Sequence, residues 1–113
     1  MATTHSAPSL GEFELLVLLA TMGLGEGAYP VSIAADIEGR TGRKASRTAV
    51  LVTLDRQDEK GLLTSRYGDP TPVRGGRAKR YFQPRPQAVE AVRQSLARIK
   101  TMTAGLEAVL KLK

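Results

Sequence analysis

A chain of 113 residues has room for one domain with a modest core and one protruding element. It contains no cysteine, and its one histidine, His5, lies in a polar leader; disulfides and thiolate metal sites are therefore excluded, and no metal or other cofactor is expected. The net charge of +6 is unevenly placed: residues 61–85 hold six basic side chains against Asp69 alone, a concentrated positive field of the kind that attracts phosphates.

In chain order, residues 1–8 read as a flexible leader. Ser9 followed by Glu12 has the spacing of a capping box, and Leu10, Phe13, Leu16, Val17 and Ala20 recur at helical intervals, which predicts a first helix over 9–23. Its apolar run, Leu15 to Ala20, is too short to span a bilayer, and no signal-peptide pattern precedes it, so a cytoplasmic protein without a membrane partner is expected. Pro30 suits the first turn of a second helix, with Val31, Ala34 and Ile37 on one face and a stop near Arg40 at the glycines Gly39 and Gly42. After a short connection, Thr41 to Ala45, Ser46 is placed to cap a third helix that carries Val50 and Leu54 inward and ends at Gly61.

Two short strands follow, within 62–67 and 78–83, joined by a loop rich in glycine and proline; Tyr81 and Phe82 alternate across the second, so one of them should anchor the hairpin to the core. From Pro86, apolar residues spaced three and four apart predict a helix reaching about 111, roughly 39 Å long at about 1.5 Å per residue. The order helix, helix, helix, strand, loop, strand, long helix predicts a mainly α fold with a small β-hairpin: a winged helix-turn-helix DNA-binding domain over 9–84, and a C-terminal dimerisation helix over 85–113.

Several stretches carry a family resemblance. "GEFELLVLLA", "AYPVSIAADIEGRTGRKAS", "AVLVTLDRQDEKGLLTSR" and "GGRAKRYF", in this order from about Leu10 to Phe82, resemble the PadR family of bacterial transcriptional regulators. The resemblance implies a regulator, expected to be a repressor, whose short members pair through a C-terminal helix. Leu51 stands where the family usually has a tyrosine, and Gln57 where it has a leucine. Because the chain has no tryptophan, the aromatic-drug binding of some relatives does not carry over, and any small-molecule effector is unidentified.

The charged pieces fit that reading physically. Arg74, Arg77, Lys79 and Arg80 lie where a wing can follow the DNA backbone or minor groove, and Gly75 and Gly76 let the loop turn sharply. Arg47 and Thr48, behind the Ser46 cap, lead the recognition helix of about 46–60 into the major groove, with Ser46 offering DNA its backbone N–H at the positive end of the helix and Arg43 and Lys44 strengthening the approach beside a basic wing over 68–80. Plainer roles stand beside these: wing cations that protect an edge strand, a Ser46 that only caps, and a Leu51 that either meets a thymine methyl or packs inward.

Val89, Val92, Leu96, Ile99, Leu106 and Leu110 form the apolar stripe of the tail, expected to meet a second copy together with Phe13 and Leu16; a tail folded back on the first helix is the alternative. A twofold dimer predicts double-stranded DNA with an inverted-repeat operator as the partner. No catalytic residues are expected: Asp55, Asp58 and Glu59 lie beside Arg56 and Lys60 on one helix, and no nucleophile-base set exists. A protein-interaction module and a nonspecific architectural DNA binder remain alternatives on the same scaffold.

Overall fold

The computed structural model describes residues 9–68 and 78–112. Its elements are α1 (Glu12–Leu24), a 3-10 turn (Gly25–Gly27), α2 (Pro30–Thr41), α3 (Arg47–Glu59), β1 (Leu63–Tyr67), β2 (Arg80–Pro84), α4 (Pro86–Thr103) and the single turn α5 (Glu107–Leu110). This is a winged helix-turn-helix arrangement, mainly helical with one antiparallel pair of strands. Among the described residues, no helix is long and apolar enough to cross a membrane.

Helix boundaries follow from local chemistry. α1 begins after Gly11 rather than at Ser9, because Glu14 is the carboxylate that reaches back: its Oε1 accepts from the Gly11 N–H at 2.8 Å. The helix stops at Gly25, whose φ of 60° and ψ of −126° suit glycine and strain other residues. Pro30 occupies the first turn of α2, and Ser32 folds that entry together, accepting from the Tyr29 N–H at 3.0 Å and donating to the Gly27 carbonyl at 2.6 Å. Gly42 closes α2 in the left-handed conformation, its N–H donating to the Glu38 carbonyl.

The three helices and the hairpin enclose a core in which Val17, Leu18, Ile33, Val50, Leu54, Leu62, Leu63 and Phe82 are all buried. Phe82 is the member of the aromatic pair that anchors the hairpin, at 0% exposure, while Tyr81 lies on the opposite strand face with its ring edge-on to Tyr29. β1 and β2 pair in register from Leu63 opposite Pro84 to Tyr67 opposite Arg80, and the Gly68 N–H to Lys79 carbonyl bond extends the ladder toward the loop. From the middle of β2, the Phe82 N–H donates to the Ala28 carbonyl and ties the hairpin to the turn after α1. Gln57, buried in α3, donates from Nε2 to the Glu14 carbonyl, so a side chain that breaks the apolar pattern joins α3 to α1.

The tail departs from the expected continuous helix. α4 spans 18 residues, about 27 Å at about 1.5 Å per residue, and ends where Ala104 turns extended and Gly105 takes a φ of +85°. Glycine is among the weakest helix formers and accommodates this conformation without a Cβ clash, which accounts for the break in an otherwise regular stripe. The Glu107 carboxylate then accepts from the Gly105 N–H and starts α5. Leu106 and Leu110 therefore do not continue the line of Val89, Leu96 and Ile99 on one helix.

Candidate nucleic-acid interface

α3 divides along its length. Val50, Thr53, Leu54 and Gln57 turn inward, whereas Arg47, Thr48 and Ala49 at its start are exposed. The start is held by Ser46, whose Oγ accepts from the Ala49 N–H at 3.0 Å and whose carbonyl accepts from Val50. The cap satisfies one of the unpaired backbone donors of the first turn and leaves the positive end of the helix facing outward. Leu51 is half-buried against the core and also lines the rim of the exposed face.

A cleft of about 430 Å³ lies between the start of α3 and the loop end of the hairpin, with Arg47 and Leu51 on one side, Tyr67, Lys79 and Arg80 on the other, and Val31 of α2 at its edge. Tyr67, 70% exposed at the end of β1, is a wall residue that the sequence reading did not single out; it shares a strand face with buried Leu63, so alternation gave no signal for its exposure. Arg66, also exposed, stacks its guanidinium 4.8 Å from the centre of the Tyr81 ring. It lies in the most basic segment of the chain and was missed because that segment's charge was attributed to the loop.

The basic candidates fall into distinct settings. Among the described residues, neither Lys44 nor Arg47 has an ion-pair partner, and both are exposed. Arg43 turns back on α1, pairing with Glu12 at 2.9 Å and lying 5.0 Å from the centre of the Phe13 ring. Lys79 holds its Nζ 4.7 Å from the Tyr29 ring centre while remaining exposed. Arg80, expected beside these as a free wing cation, instead points at α3, with Nη1 donating to Asp55 at 2.7 Å and Nη2 to Asp58 at 3.1 Å. The physical reason is register: Arg80 shares a strand face with buried Phe82, so its side chain is directed inward. Arg74 and Arg77, with Gly75 and Gly76, lie outside the described residues.

The proposed association face is likewise divided. Val92 is only 4% exposed and belongs to this chain's own core with Ala88, so it has almost no surface to give a second copy. Leu96 and Ile99, 45% and 52% exposed, stand beyond the reach of that core, as do Val89, Leu106 and Leu110. Phe13 and Leu16 are half-buried against the core from α1.

No family model matches the sequence, and no curated protein matches it. Solved structures do. A PadR-like transcription factor from Bacteroides fragilis superposes with a TM-score of 0.71 at 14% identity, over 86% of this chain and 88% of that one. The chain has the PadR-like fold. A PadR-family transcriptional regulator from Eggerthella lenta agrees, with a TM-score of 0.67 at 18% identity over 90% of this chain and 88% of its own. Bacillus subtilis PadR, solved in complex with operator DNA, matches 74% of this chain and 47% of its own length at 14% identity, with a TM-score of 0.62. The PadR-like fold thus accommodates this sequence with little shared identity.

Proposed function

We propose that the chain is a PadR-family transcriptional regulator that binds double-stranded DNA as a homodimer and acts as a repressor. The observation that carries this reading is the start of α3: a capped, outward-facing helix end bearing Arg47 and Thr48, with Lys44 beside it and no protein partner for either cation among the described residues. An arginine there has the reach and the planar donor pair to read guanine in the major groove, while Lys44, Arg43, Lys79 and the loop cations Arg74 and Arg77 supply phosphate contacts. That the B. subtilis protein was solved with operator DNA supports DNA as the partner. Apolar side chains left in water along the tail support pairing, and a twofold pair presents two α3 helices to an inverted repeat.

The test is fluorescence anisotropy against the DNA upstream of the protein's own coding region and a shuffled duplex, across a salt series. Preferential binding to the upstream DNA that falls steeply with salt is the expected result, because each phosphate contact releases counterions. Equal affinity for both duplexes would replace the regulator by an architectural binder, and no binding at low salt would move the basic face to a protein partner.

A further inference from the structure

We infer that Arg80 is a positioning residue that sets the hairpin against the recognition helix, rather than a cation that contacts DNA; this rests on the DNA-binding reading above. All three of its guanidinium nitrogens are engaged. Nε donates to Ser65 Oγ on the neighbouring strand at 3.2 Å, Nη1 to Asp55 Oδ1 at 2.7 Å and Nη2 to Asp58 Oδ2 at 3.1 Å, while the guanidinium carbon lies 4.7 Å from the centre of the Phe82 ring. Asp55 and Asp58 are three residues apart, which places them side by side on α3. A planar fork held at both ends by carboxylates has a fixed direction, and the Arg80 side chain is 25% exposed.

The location gives that geometry its consequence. Phe82 pins the base of the hairpin in the core; Arg80 sits two residues nearer the loop on the same strand face and ties that outer part to α3. Arg80 lies in the wall of the cleft between Arg47, which opens α3, and Lys79, so the clamp relates the base-reading and phosphate-holding sides of the cleft. One arginine between two aspartates also leaves the cluster with a net charge of −1, which does not favour a phosphate. Positioning gives the two acidic side chains a role on a helix that approaches DNA.

Two variants separate the roles because they make opposite predictions. Asp55→Asn with Asp58→Asn raises the net charge by two, so a phosphate-contacting Arg80, freed of its carboxylates, would bind every duplex as tightly as before or tighter. Positioning predicts instead that the ratio of affinities for the preferred and shuffled duplexes falls about tenfold, comparable to one spoiled base contact. Arg80→Lys keeps the charge and loses the fork; it is expected to show the same loss of discrimination, whereas wild-type discrimination would overturn the inference. Amide hydrogen exchange on the free protein provides a readout independent of DNA: the Gly68 N–H, bonded to the Lys79 carbonyl at 2.8 Å, should exchange faster in both variants, with the Phe82 N–H unchanged. Unchanged Gly68 protection in both variants sinks the clamp even if the protein binds DNA. Should wild type bind no duplex, the DNA-binding reading fails, while faster Gly68 exchange still upholds Arg80 as the residue that fixes the hairpin to α3.

Discussion

Two surfaces lie beyond the same core, and they differ in kind. At the start of α3 the exposed groups are Lys44, Arg47 and Thr48, and Arg47 faces Tyr67 and Lys79 across a cleft. Along the second half of α4 and through α5 they are Leu96, Ile99, Met102, Leu106, Val109 and Leu110. Water solvates the first set well, so that face needs a partner only for function. The second set leaves apolar area in water at a cost of about 25 cal/mol per Å², which gives the tail a reason to associate whether or not DNA is present. Assembly and DNA recognition are therefore expected to respond to different mutations.

The largest effect should come from testing where the tail stops being core. Val92→Asp would place an unpaired carboxylate inside the chain's own packing and is expected to cost about 3–5 kcal/mol in chemical denaturation. One helical turn further, Leu96→Asp with Ile99→Asp should leave helicity and thermal melting of the core intact while converting a dimer to a monomer in sedimentation velocity. A dimer that survives this pair would remove the tail from the association face and erase the contrast between the two surfaces. An unfolded pair would show that the second half of α4 is core after all.

On the polar surface, Arg47→Ala should lower affinity for the preferred duplex by about 1–3 kcal/mol and affinity for shuffled DNA much less, as anisotropy would reveal. Equal losses on both duplexes would move Arg47 to the phosphate contacts. The smallest expected effect is Ser46→Ala, which removes the cap at a cost of about 1 kcal/mol of stability and leaves the dimer intact by sedimentation. If Ser46→Ala instead abolished duplex preference without lowering stability, Ser46 would be a reader of DNA as well as a cap.

Much of this molecule is written locally. Pro30 and Gly42 mark the ends of α2, Ser46 caps α3, and the Tyr81-Phe82 alternation announces a strand with one buried aromatic. Each of these signals depends on a residue's own backbone preference or on a partner a few positions away, so it survives without knowledge of the fold. Gly105 was equally visible, yet the apolar spacing around it suggested a continuous helix; periodicity reports which residues share a face, and does not register one position whose backbone leaves the helix.

Tertiary structure decided which members of a pattern have work left to do. Val92 and Leu96 occupy the same stripe, and only the position of the core against α4 makes one buried and the other exposed. Arg80 and Lys79 are adjacent, alike in charge and both at the cleft, and only strand register together with the placement of α3 engages one with Asp55 and Asp58 and leaves the other over the Tyr29 ring. The sequence by itself determined the elements, their order and the sign of the charge, because those depend on local propensity and composition. The destination of each charged or apolar side chain depends on contacts between residues 22 or 25 positions apart, as in the Arg80 clamp, and those exist only once the chain has folded.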